Sequence, residues 1–119
     1  MERERPAGGP IVLGFTAGGF RVGETAYPAL LMTIEEAMAW TPPALDALTI
    51  DDLAPILTPV PEFVLIGTGA TLARPPAALV KALDDRGIGI EAMDSRAAAR
   101  AWGVLRSEGR GIAAALLPL

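Results

Sequence analysis

The spacing of apolar residues changes several times along this chain, and each change predicts an element. Phe63-Val64-Leu65-Ile66 is a continuous apolar run closing on Gly67-Thr68-Gly69, as expected for a central strand covered on both faces and ending in a tight turn. Pro75 and Pro76 pre-set a first helical turn, Leu79, Ala82 and Leu83 form one stripe behind them, and Gly87 supplies a left-handed stop. This predicts a helix over 75–86. Ile88 to Met93 reads as a second strand. Asp94 or Ser95 can cap a helix running through Ser107, which Gly109 ends, and Gly111 to Leu117 is a last strand.

The first half is less regular. Residues 1–10 hold two Pro and two Gly with alternating charges and read as a flexible lead-in before one domain over 11–119. Ile11 to Leu13 and Phe20 to Val22, with Ala17-Gly18-Gly19 between them, predict a hairpin or two edge strands. Ala29 to Met32 follows Pro28 as a third strand. Thr33-Ile34-Glu35-Glu36 has capping-box spacing and predicts a short helix that Trp40-Thr41-Pro42-Pro43 stops. Trp40 is read as a lid on the core, with a contact surface as the alternative. Thr49-Ile50-Asp51-Asp52 opens a second short helix, held to about two turns by Pro55 and Pro59. Together these elements predict a three-layer α/β domain with a mixed central sheet, an irregular β-rich N-terminal half and a βαβαβ C-terminal half.

Composition narrows the chemistry. The 119 residues contain no His and no Cys, which removes Ser-His-Asp and Cys-His nucleophilic sites, Cys/His zinc sites, iron–sulfur clusters and disulfides. The sequence calls for no cofactor, metal or catalytic residue, although oxygen-only sites survive this cut, so the reading leans away from an enzyme. A net charge of −4 argues against a nucleic-acid partner, because phosphate binding depends on clustered cations. No apolar run approaches the roughly 18 residues of a membrane span, and the first residues lack a signal-peptide core. The expectation is a cytoplasmic protein.

Three constellations stand out. On a helical wheel Ala97, Ala98, Ala101, Trp102, Val104 and Leu105 cover one arc expected to face the sheet, while Arg96, Arg100, Gly103 and Ser107 fall opposite. Gly103 between two guanidinium groups leaves a shallow place for a carboxylate, a phosphate or a partner backbone; the competing reading is a solvated helix face. Glu108 lies in the apolar arc near a helix C-terminus and is expected to need Arg110 or Arg86 as a counter-charge. Gly67-Thr68-Gly69 invites a dinucleotide reading with Glu91 or Asp94 as the ribose acid. The third fingerprint position is Leu72 and the helix starts too late, leaving a turn that needs Gly or a small anion held with Arg74. The acid pairs Glu35-Glu36, Asp51-Asp52 and Asp84-Asp85 diverge by about 100° on a helix and cannot share one substrate atom.

The segments Phe63 to Gly69, Gly87 to Asp94 and Leu105 to Arg110, in that order and spacing, resemble the small family that includes the mitochondrial respiratory complex I assembly factor 3 and many uncharacterised bacterial and archaeal proteins. The resemblance implies a three-layer α/β fold and a non-enzymatic, assembly-factor-like binding domain that assists a membrane respiratory complex. Its partner would be a protein, and the chain would sit at the inner membrane only through that partner. Homo-oligomerisation stays open. Carried over by position, the family's surface motif falls on Gly67, Thr68, Gly69, Asp94, Ser95, Arg96, Arg100, Glu108, Gly109 and Arg110. The family pattern has Cys where this chain has Ala99, Tyr or Phe at Trp102 and Asn at Gly103, so a role for that thiol or amide cannot operate here. The alternative is a small-molecule or anion-binding enzyme using the strand-end crevice near Gly67 to Gly69.

Overall fold

The structure, a computed structural model, describes residues 10–16 and 19–119. The expected lead-in, Pro10 apart, and the Ala17-Gly18 part of the first turn lie outside the described residues. In chain order the strands are β1 (Gly14–Thr16), β2 (Gly19–Val22), β3 (Thr25–Tyr27), β4 (Leu30–Thr33), β5 (Ala37–Ala39), β6 (Phe63–Gly67), β7 (Gly89–Met93) and β8 (Ile112–Leu116). The α-helices are α1 (Ala77–Asp85) and α2 (Ser95–Leu105), and short 3-10 turns occupy Leu45–Ala47, Ile50–Ile56 and Arg106–Glu108.

β1, β2 and β3 form an antiparallel meander. The main sheet has the order β5-β4-β8-β6-β7, with β6 parallel to β7 and β8, and β4 antiparallel to β5 and β8. The sheet is therefore mixed. Strand alternation sorts its side chains into two cores. Leu31, Val64, Ile66, Ala113 and Ala115 pack under α1 and the 50–56 turn through Leu53, Ile56, Leu79 and Leu83. Leu30, Met32, Leu65, Ala114 and Leu116 face the other way, against Ala98, Ala99 and Trp102 of α2 and Phe20 of the meander. This is the expected three-layer arrangement, with Ala113 and Ala115 of β8 on the α1 side and Ala114 on the α2 side. Trp40 packs on the first core and its indole N–H donates to Asp52 O at 3.1 Å, the lid role expected of it.

Three expectations are corrected. The first strand begins at Gly14, not Ile11. Leu13 N–H donates to Arg21 O at 2.7 Å, while Trp102 Nε1 donates to Pro10 O at 2.8 Å and draws the preceding residues to α2. Thr33 to Glu36 does not start a helix. The Thr33 hydroxyl accepts from Glu35 N–H at 3.1 Å and Glu36 N–H at 3.2 Å, and this local bonding closes a hairpin in which Ala37 pairs with Met32. The last helix ends at Leu105, two residues early. A 3-10 turn over Arg106–Glu108 then leads to Gly109 at φ 74°, a left-handed stop that suits glycine. The second predicted short helix is present as a single 3-10 segment whose Asp52 carboxylate accepts from Thr49 N–H at 2.8 Å.

Candidate functional site

The carboxyl ends of β6, β7 and β8 meet at a polar knot built by Gly67, Thr68, Gly69 and Ser95. Thr68 N–H donates to Met93 O at 2.8 Å and Leu117 N–H to Gly67 O at 3.0 Å. The fully buried Ser95 hydroxyl accepts from Gly69 N–H and donates to Leu117 O, both at 2.8 Å, while Ser95 N–H returns to Gly69 O. The Thr68 hydroxyl, almost fully buried, donates to Thr71 O at 2.8 Å and accepts from Ala73 N–H at 3.1 Å. Glycine is required here for two reasons. A Cβ at Gly67 would stand 2.7 Å from Ser95 Oγ and 2.8 Å from Leu116 Cδ2, and Gly69 has φ +110°.

These groups answer one another, so the knot has little left for a ligand. Asp94 caps α2 by accepting from Ala97 N–H at 2.9 Å, which places a carboxylate at the helix end that would otherwise favour an anion. Neither turn amide of Thr68 or Gly69 is free to cradle a phosphate. Among the described residues no group of three or more acids stands where it could hold a metal ion.

The carried-over residues do not form one cluster. Gly67, Thr68, Gly69, Asp94 and Ser95 lie together at the carboxyl ends of the strands, with Arg96 next to them on the first turn of α2. Arg100 is exposed one turn further along. Glu108, Gly109 and Arg110 lie beyond the far end of α2, about 16 Å away along an eleven-residue helix. There Arg110 Nε meets Glu62 Oε1 at 3.4 Å and its Nη1 meets Glu108 Oε1 at 3.9 Å, and the guanidinium stacks 5.2 Å from the Phe63 ring. Arg110 is thus the counter-charge of Glu108, as expected. Glu108 itself is exposed and not in an apolar arc, because the 3-10 turn breaks the helical phase.

The two flanks of α2 also differ from the wheel. Arg96 rests over the Phe15 ring at 5.5 Å, and Ile11 Cδ1 lies 3.7 Å from where a Gly103 Cβ would be. The shallow place beside Gly103 is therefore covered by the chain's own N-terminal segment. Ala99 is 3% and Trp102 0% exposed, so two of the three positions at which the resemblance implies a different residue lie in the core. Val104, expected to face the sheet, is 63% exposed. The buried positions of α2 are Ser95, Ala98, Ala99 and Trp102, a stripe rotated from the one the wheel drew, since Ser95 and Ala99 fall outside that arc while Ala97, Ala101 and Leu105 are only half-buried.

Between the other flank of α2 and β7 runs a groove of about 740 Å³. Phe63, Glu91 and Met93 line its floor, Val104 and Leu105 its wall, and Arg110 one end. Sequence reasoning reached Arg110 but missed the groove. The available signal was the alternation of β7, which puts Glu91 on the same face as Met93.

A family profile described as "Protein of unknown function (DUF498/DUF598)" matches residues 12–117. An uncharacterised protein of Rhodobacter capsulatus is 38% identical over 116 residues, which cover 95% of this chain and 88% of that protein. The NADH dehydrogenase [ubiquinone] 1 alpha subcomplex assembly factor 3 of Danio rerio is 29% identical over 121 residues, covering 99% of this chain and 69% of the factor. The crystal structure of a Bordetella parapertussis protein, 28% identical, superposes with a TM-score of 0.82 over 97% of this chain and all of that one. Among the described residues no helix is long and apolar enough to cross a membrane.

Proposed function

The chain belongs to the DUF498/DUF598 family of proteins of unknown function, and from that premise we propose that it is a non-catalytic, assembly-factor-like domain that docks onto subunits of an NADH dehydrogenase during assembly. The observation that carries this reading is the contrast between its two polar regions. The strand-end knot, where an α/β sheet usually presents its chemistry, uses its hydroxyls and turn amides to hold the chain together. The outward surface of α2 instead offers Arg96, Arg100 and the exposed Val104, and on the far side of Val104 an open groove of mixed apolar and charged lining with Arg110 at one end. Exposed apolar area flanked by Arg is the composition of a protein-docking surface. The relative from Danio rerio, named as an assembly factor, supplies the direction of the proposal.

The anion-binding enzyme reading is not favoured. The space at Gly67 is filled by Ser95 and Leu116, the Thr68 and Gly69 amides are already bonded, and the nearest helix end carries a carboxylate. The test is affinity purification of the tagged chain from its native cells with the membrane fraction retained. Wild type is expected to enrich NADH dehydrogenase subunits, and the double variant Arg96→Glu, Arg100→Glu to lose them while keeping its thermal midpoint within a few degrees. Equal enrichment by the variant would remove α2 from the docking surface. A preparation free of these subunits would refute the reading.

A further inference from the structure

β7 is an edge of the main sheet, and its outer side is open on both faces. The groove beside α2 flanks one face, and a second of about 440 Å³, lined by Val80 and Ile88 among others, flanks the other. Gly89 N–H donates to Glu62 O and Met93 O accepts from Thr68 N–H, so the polar groups of these residues turn toward β6. By the two-residue alternation of a strand, the N–H and C=O of Ile90 and Ala92 turn outward to the open edge. The same alternation sets the side chains. Glu91 pairs in register with Leu65 and Met93 with Gly67, which places Glu91 on the α2 side, among Phe63, Met93, Val104 and Leu105. The structure gives Glu91 no ion pair among the described residues.

A second copy of this chain is a poor occupant. Two-fold antiparallel pairing that joins Ile90 to Ala92 of the other copy sets Glu91 directly opposite its own counterpart, in the close, non-hydrogen-bonded position where like charges repel. The same geometry favours a strand that brings a cation to that position. We infer that β7 accepts, antiparallel, an extended segment of a partner protein with Lys or Arg opposite Glu91 and aliphatic residues two positions to either side. Those aliphatic residues sit over Gly89 and Met93, in the groove against Val104 and Leu105. This rests on the docking reading above and names the partner chemistry for it.

The probe is a short capped peptide with lysine at its centre, valine two positions to each side and threonine between. It is titrated into the full chain while backbone amide resonances are followed. The lysine peptide is expected to shift Ile90 and Ala92 most, with Ala101 and Val104 following. A peptide with glutamate at its centre should bind several-fold more weakly, up to about thirtyfold, and Glu91→Lys should invert that preference. N-methylation of the two threonines beside the lysine should abolish binding with the protein unchanged. Binding that ignores the central charge, that survives N-methylation, or that is absent at millimolar peptide would overturn the inference and leave Glu91 as a guard against edge pairing. Retention of NADH dehydrogenase subunits by Glu91→Lys in native cells would also overturn it, while leaving the assembly-factor reading standing.

Discussion

At the scale of single residues, the strand-end knot explains why small side chains are placed where they are. Gly67 cannot carry a Cβ without meeting Ser95 and Leu116, so Gly67→Ala should destabilise by about 1–3 kcal/mol, the usual range for overpacking a filled site. Ser95→Ala removes the acceptor of Gly69 N–H and the donor to Leu117 O, leaving buried backbone groups unmatched. A loss of about 1–3 kcal/mol is expected. Urea unfolding of each variant checks both, with midpoints lowered and slopes unchanged. Either variant at the wild-type midpoint would mean that the knot relaxes freely. These residues were legible in the sequence as a turn, but their roles were not. Nothing in Gly67-Thr68-Gly69 announces that Ser95, 26 positions after Gly69, fills the space a ligand would need.

The elements divide along the same line between local and distant information. β6, α1, β7, α2 and β8 were legible because their apolar runs are bounded by Gly and Pro, and the structure shifts their ends by one or two residues. The hairpin of β4 and β5 was not. Thr33 with Glu36 offers the same side-chain acceptor to a helix start and to a turn, and the choice is made by the pairing of Leu30 to Met32 with Ala37 to Ala39, which no local pattern encodes. Thr33→Ala should therefore loosen the hairpin, not a helix. The expected cost is about 0.5–1.5 kcal/mol, with faster amide exchange at Glu35 and Glu36 and no change in helical circular dichroism. A drop in helical signal would restore the helix reading. The N-terminal strand was misplaced for a similar reason: the indole of Trp102 and the bare surface of Gly103 hold Pro10 and Ile11 against α2, a contact across some ninety positions.

For the whole molecule, the sequence separated what the chain lacks from what it presents. The absence of His and Cys removed most catalytic and metal chemistry before any geometry was known. The candidate surface was only half legible: Arg96 and Arg100 lie on α2 as its periodicity requires, but Glu108 and Arg110 belong to the other end of the sheet. The groove between α2 and β7 depends on the strand order β8-β6-β7, which the order of elements along the chain does not fix. The central claim is that this side, carrying Val104, is where an NADH dehydrogenase subunit docks. The most direct measurement replaces Val104 with a photoreactive amino acid in native cells, with Val60, equally exposed but on another part of the surface, as the control. The account predicts a crosslink to an NADH dehydrogenase subunit from position 104 and none from position 60; crosslinking from position 60 alone, or from neither, would contradict it.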